Sequence, residues 1–241
     1  MKISVVVPAF NEAKLIERSL SSIRAAAVAF ERRGWKYEIV VCDNNSTDET
    51  ANLARAQGAR VVFEPVNQIS RARNTGAAAA TGDWLLFVDA DSFPSAGLLA
   101  DVAAQIETGD CLGGGATVEL DEAIGWAATL TRGWNSLSRW RRWMAGSFIF
   151  SRTEAFRELG GFSHELFVAE EIEFSRRLNT LAKSRRQRVV ILNRHPLKTS
   201  ARKMHLYSSR EYLWFLARSV LGLGGTLKKR ESCGIWYDGR R

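Results

Sequence analysis

Cysteine is scarce in this chain of 241 residues: Cys42, Cys111 and Cys233 stand far apart, odd in number, and form no C-x-x-C pair. That speaks against a disulfide framework and a zinc site, and it points to a reducing cytoplasm. Long apolar runs are missing too. No stretch approaches the roughly 18 apolar residues that a spanning helix needs, so the expectation is a soluble chain, or one that lies on a membrane without crossing it. Met1 to Phe10 carries a single lysine, and Pro8 with Asn11-Glu12 cuts its apolar run short, which reads as a buried strand and not a signal peptide. No G-x-G-x-x-G follows that strand, and no G-x-x-x-x-G-K-[ST] occurs anywhere, so dehydrogenase and P-loop readings lose their main support. Acid is nearly absent from the end of the chain: residues 176–241 hold 17 Lys/Arg against only Glu211, Glu231 and Asp238. Such a basic region is either a solvated face or an attractor for an anionic partner: a phosphate-bearing donor, an acidic lipid surface or nucleic acid.

What is present is an ordinary globular composition, 46% hydrophobic and 25% charged, enough to bury a core. The length suits one large α/β domain. Ile3–Val7, Tyr37–Cys42, Arg60–Phe63 and Trp84–Val88 read as short buried strands. Between them lie helical patterns: about Glu12 to Arg33, capped by Asn11; one opened by the capping-box spacing Ser46-Thr47-Asp48-Glu49; and Ser70–Ala80. This βαβα rhythm predicts a parallel sheet with helices on both faces. Further on, Gly97–Glu107, about Glu122–Arg142, Ala169–Leu181 and Glu211–Leu221 read as helices, and Cys111–Leu120, Phe148–Phe150 and Arg188–Leu192 as strands. The simplest account is one domain over 1–241, with a nucleotide-binding half at about 1–92 and an acceptor-shaping half at about 93–241.

In an open parallel sheet, ligands sit beyond the carboxyl ends of the strands. Pro8-Ala9-Phe10-Asn11-Glu12 follows the first strand, Asp43-Asn44-Asn45-Ser46-Thr47-Asp48 the second and Asp89-Ala90-Asp91 the fourth. Asp89 and Asp91, two apart on extended backbone, point to the same side. Two close carboxylates repel, so they need a proton or a cation between them, and Mg²⁺ or Mn²⁺ completed by substrate phosphates suits such a pair. Asp43 reads as a turn residue or as an acceptor of hydrogen bonds from a nucleobase. Arg71 and Arg73 read as a solvated helix face or as phosphate ligands. Gly113-Gly114-Gly115 reads as an irregular strand or as backbone approached by a ligand. Gly160-Gly161-Phe162 leads to Glu170, Glu171 and Glu173, more acid than a helix N-terminus requires.

As a set, VVVPAFNE (5–12), CDNNSTDET (42–50), SRARNTGAAAATGDWLLFVDAD (70–91), AGSFIFSRTEAFRELGGF (145–162) and AEEIEFSRRL (169–178) resemble the family 2 glycosyltransferases of the GT-A fold. TSARK (199–203) resembles them as well. The resemblance implies a Rossmann-like, mostly parallel sheet and an inverting transfer of a sugar, of hexosyltransferase type, from a UDP- or GDP-sugar. It implies that Pro8, Phe10, Glu12 and Asp43 line the nucleobase and ribose pocket, that Arg73 and Arg71 lie near the donor with Asp89, and that Asp91 ligates the metal. The family's usual Glu-Asp stands here as Glu170-Glu171, which makes Glu171 the general base and Glu170 its support. A late ligand, His205 before His195, is expected for the metal. No nucleic-acid partner is implied, and the acceptor is open, a lipid-linked one included. A nucleotidyltransferase and a non-catalytic binding module of the same fold are the alternatives. A nucleotidyltransferase should show a Gly- and Arg-rich loop where PAFNE stands.

Trp126, Trp134, Trp140 and Trp143 interleave with Arg132, Arg139, Arg141 and Arg142. This pattern fits core packing equally well as a membrane headgroup interface at the inner face.

Overall fold

A computed structural model describes residues 1–122, 124–206 and 228. The expected Glu211–Leu221 helix and Cys233 lie outside them. In chain order the elements are β1 (Lys2–Ala9), α1 (Ile16–Glu31), β2 (Lys36–Asp43), α2 (Thr50–Ala56), β3 (Arg60–Phe63), α3 (Ile69–Ala79), β4 (Trp84–Val88) and β5 (Ser92–Phe93). There follow α4 (Ala96–Glu107), β6 (Cys111–Leu120), α5 (Gly125–Arg141), β7 (Phe148–Arg152), α6 (Thr153–Glu158), α7 (Glu170–Ser184), β8 (Arg188–Thr199) and α8 (Arg202–Leu206).

The strands form one sheet in the order β3-β2-β1-β4-β7-β6-β8-β5. β3, β2, β1 and β4 run parallel, β7 is antiparallel to both β4 and β6, and β8 is parallel to β6. The chain winds outward from β1 to β3 and then returns to the other side of β1 as β4. The switch point therefore lies between β1 and β4, and ligands of such sheets bind beyond the carboxyl ends of the strands there.

Strand alternation sorts the core into two layers. Ile3, Val5 and Val7 of β1 and Leu86 and Val88 of β4 pack with α1 and α4, while Val6, Leu85 and Phe87 face the other way. α1 buries Ile16, Leu20, Ile23, Ala27 and Phe30, a helical stripe against the first layer. Phe87, Phe156, Phe162 and Phe174 close the second layer as a ring cluster with centroids 4.9–5.5 Å apart.

Two local readings change. α1 begins at Ile16, and Asn11 does not cap it: Asn11 takes a left-handed conformation (φ 52°) and its Oδ1 accepts from the Thr47 amide at 2.8 Å. The capping box at Ser46 does not form either. Ser46 Oγ accepts from the Asn11 amide at 3.0 Å, and Asp48 accepts from the Thr50 amide at 3.0 Å at the start of α2. Both segments spend their polar side chains on each other because the ends of β1 and β2 are neighbours in the sheet.

The glycine run of β6 serves the sheet. A Cβ at Gly114 would stand 2.1 Å from the Val190 carbonyl oxygen, and one at Gly113 would stand 2.6 Å from that of Phe150. The close backbone there is β7 and β8, and none of the three glycines lines the main cleft.

Candidate functional site

A cleft of about 250 Å³ opens at the switch point. Its floor is the Pro8–Glu12 turn after β1 and Asp89–Asp91 after β4; its walls are α3, Gly146-Ser147 and the turn into α7. Pro8, Phe10, Glu12, Arg73, Asp89, Asp91, Glu170 and Glu171 all line it. The α7 wall is held from two sides. Gln68 Nε2 donates to the His164 and Leu166 carbonyls at 2.7 and 3.0 Å. Asn74 bonds both the amide and the carbonyl of Phe162, at 2.9 and 2.8 Å, and a Cβ at Gly161 would stand 2.6 Å from Asn74 Oδ1. The tight glycine turn thus lets α3 hold the chain as it enters α7. Ala169, the residue before α7, has φ 67° and aims the two following glutamates inward.

Arg73 is 2% exposed and ties the walls together. It bonds Glu170 through Nη1, and through Nη2 it reaches Asp89 at 3.1 Å and the Gly146 carbonyl at 2.8 Å. Burial opposes its charge, but the Asp89 and then the Glu170 carboxylates outweigh burial and hold the guanidinium charged. Glu170 is spent on this pair; burial pushes its carboxyl upward while Arg73 opposes the shift. Glu171 is half-buried, and no side chain among the described residues hydrogen-bonds its carboxylate. Burial first, and the Glu170 carboxylate next, push it up to about 8.

Asp91 is 7% exposed, and among the described residues its carboxylate touches only Ser92 Oγ, at 3.5 Å. Among the described residues that line the cleft, Glu12, Asp89, Asp91, Glu170 and Glu171 stand against one arginine, Arg73, an excess of carboxyl groups that suits a cation. Among the described residues no group of three or more His, Cys, Asp or Glu side chains is gathered as a metal cage. A pair of carboxylates with room for phosphate oxygens fits Mg²⁺ or Mn²⁺, which commonly take one or two protein carboxylates and complete their shell from substrate.

Four expected residues stand elsewhere. Asp43 Oδ1 accepts from the Ser46 amide at 3.0 Å, the turn role; its neighbour Asn44 lines the cleft instead. Arg71 donates to Gln68 Oε1 at 3.2 Å outside the cleft. His205 lies on α8 with Nε2 2.9 Å from Glu122, and His195 packs on Gly97 with Nδ1 2.8 Å from Asp101, so the structure brings neither to the aspartates. A contact that the sequence reading missed is Arg202, whose Nη2 reaches both carboxylate oxygens of Glu12 at 2.8 Å. TSARK was its only signal.

An α/β sheet of mixed direction, with an acidic cleft at its β1–β4 switch point, is the GT-A class of fold. The chain belongs to glycosyl transferase family 2, whose model matches residues 4–160. It is 38% identical over 107 residues to the uncharacterized glycosyltransferase Rv0539 of Mycobacterium tuberculosis, a match covering 44% of each chain. Its fold is similar to that of the mannosyltransferase PcManGT of Pyrobaculum calidifontis in complex with GDP-Man and Mn²⁺ (TM-score 0.68, 20% identity, 90% of this chain and 60% of that one). It is also similar to residues 1–349 of Staphylococcus aureus TarS with UDP-GlcNAc (TM-score 0.65, 22% identity, 99% and 71%). The matches span less than half the length of the curated relatives.

Proposed function

We propose that the cleft transfers a sugar from a UDP- or GDP-sugar to an acceptor hydroxyl, with inversion and with the help of a divalent metal. The observation that carries this reading is the meeting of two strand-end aspartates with Glu171, a carboxylate that no side chain among the described residues hydrogen-bonds, across one cleft at the switch point. The ligands in the two similar structures, a GDP-sugar with Mn²⁺ and a UDP-sugar, support a nucleotide-sugar donor and a metal.

In this reading Pro8, Phe10, Glu12 and Asn44 receive the nucleoside, because they form the edge of the cleft beyond β1 and β2. Asp91, with Asp89, would hold Mg²⁺ or Mn²⁺, which when bound neutralises charge building on the departing diphosphate. Asp89 is fixed for this by Arg73. Glu171 takes the proton from the acceptor hydroxyl as its oxygen bonds the anomeric carbon. The bond from that carbon to the diphosphate oxygen breaks, and the nucleoside diphosphate leaves. A single displacement of this kind inverts the centre. Glu170, held in the Arg73 pair, keeps that guanidinium in place and supports Glu171. The halves at about 1–92 and 93–241 divide the work as donor and acceptor sides. A lipid-linked acceptor at the inner face of a membrane belongs to the same reading.

The test is transfer and donor hydrolysis with a panel of nucleotide sugars, with and without Mn²⁺. Base-specific, metal-dependent turnover is expected. Asp91→Asn should abolish it, together with the metal-dependent part of nucleoside diphosphate binding, while leaving the fold intact. Near-normal metal-dependent turnover in that variant overturns the metal assignment.

A further inference from the structure

Helix α5 is turned the wrong way for a core helix. Of its 17 residues only Ala127 and Ser138 are buried. The inward face is polar at its centre, where the Asn135 side chain closes two hydrogen bonds with the Val118 backbone, at 3.0 and 2.9 Å. The apolar stripe runs along the outer side. Leu130, Leu137 and Trp140 fall within a narrow arc of the helix, at spacings of seven and three, and are 40%, 36% and 73% exposed. Arg141 borders the stripe beside Leu130, while Arg132 and Arg139 stand about 80–100° round the helix from Trp140, beyond Thr129 and Ser136; all three are exposed. No Asp or Glu occurs between Glu122 and Glu154.

Beside the end of this helix, Arg139, Arg142 and Arg188 line a shallow hollow of about 280 Å³ against β8. Arg188 is engaged by Asp110 at 2.7 Å, whereas Arg139 and Arg142 pair with no acid among the described residues. A row of exposed apolar side chains bordered by unneutralised arginines suits one kind of surface, apolar beneath and anionic on top. A second copy of the chain would set these arginines against their own equivalents, which repel. Residues 207–241, with Arg210, Arg218, Lys228, Lys229, Arg230, Arg240 and Arg241 against Glu211, Glu231 and Asp238, carry the same sign and are disfavoured as a cover.

We propose that α5 docks this chain on an anionic phospholipid bilayer. Leu130, Leu137 and Trp140 enter the boundary between headgroups and acyl chains, and the arginines engage lipid phosphates, with the hollow receiving one headgroup. Docking adds a binding function outside the cleft and needs no turnover. Its geometry bears on the cleft nonetheless: from Arg142 the chain passes through Met144, whose amide donates to Ser175 Oγ at 3.0 Å on α7, to Gly146 and Ser147 in the cleft wall. A docked α5 therefore holds that wall close to the lipid.

The experiment is cosedimentation of the full chain with phosphatidylcholine vesicles, with and without phosphatidylserine, over a range of salt. Binding to the phosphatidylserine vesicles alone, fading as salt rises, is expected. The triple variant Leu130→Ser, Leu137→Ser, Trp140→Ser should bind at least ten-fold more weakly, and so should Arg139→Glu with Arg142→Glu. Both should keep the wild-type melting temperature and nucleotide-induced thermal shift, since these side chains lie outside the core and the cleft. No binding at low salt overturns the proposal, and so does binding that the triple variant leaves unchanged. A dimer in solution that the triple variant dissolves assigns the stripe to self-association and also overturns it. A failed transfer assay with intact vesicle binding leaves docking standing and removes only the reading of the cleft.

Discussion

A carboxylate proposed to take a proton must first be without one, and Glu171 sits where that is difficult. Burial and the adjacent Glu170 carboxylate push it up to about 8. Turnover is therefore expected to climb with pH from the mildly acidic range through about 8, where most carboxylate-based reactions have already levelled off; a pH–rate profile of kcat/KM reads this directly. Glu171→Gln should lower turnover by roughly 10²–10⁴ and flatten the profile, with donor affinity nearly unchanged. Normal transfer by Glu171→Gln together with a dead Glu170→Gln would exchange the two roles. Arg73 belongs to the same constellation but acts on structure as well. Removing it leaves Glu170 buried without its cation, so Arg73→Gln should cost roughly 3–5 kcal/mol in a denaturant titration. Adding Glu170→Gln should restore part of that loss. The two glutamates were legible from their place at the head of α7. The resemblance singled out Glu171, but the Arg73–Glu170 pair was not legible, because it depends on Arg73 arriving from α3, 97 residues away in sequence.

Elements were easiest to read where burial is uniform. β4 and β6 stand at the limits that their apolar runs imply, Trp84–Val88 and Cys111–Leu120. β8 was read only to Leu192 and runs on to Thr199. Its second half carries Asn193, Arg194, His195 and Pro196, and its register against β6 shifts between Ala116 and Val118, so no alternation marks it. α6, six residues long, is too short to show a helical period. The glycines of β6 are the opposite case, conspicuous in sequence and explained only by the strands that flank them. Gly114→Ala would drive a methyl into the Val190 carbonyl, and neither backbone can yield without losing the β6–β8 ladder. A loss of roughly 1–3 kcal/mol or more is expected by chemical denaturation. Wild-type stability in that variant would mean that the two strands do not lie side by side there.

Across the whole molecule the ionisable groups set opposing limits on stability. Glu38 is held down to about 2: burial pushes the other way, but hydrogen bonds from Ser4, the Thr81 amide and Lys2 outweigh it. Its folded value lies below the unfolded one, so its contribution is present above about 4.5 and is lost as pH falls toward 2. Glu171 has the opposite sign. Between about 4.5 and about 8 the folded state keeps a proton that the unfolded chain has released, so stability falls as pH rises through that window. The melting temperature should accordingly peak in the mildly acidic range. Glu171→Gln should flatten the alkaline limb and Glu38→Gln the acid limb; a melting profile unchanged by both would contradict these assignments. The bond of Arg202 to Glu12 has a consequence in time. Synthesis runs from the amino end, so the PAFNE turn is made well before Arg202, which follows Glu12 by 190 residues. β5 likewise waits for Thr199 to pair with Ser92. Between those two points the nascent chain carries this edge of the cleft without its Arg202 contact, which forms only once synthesis has passed Arg202.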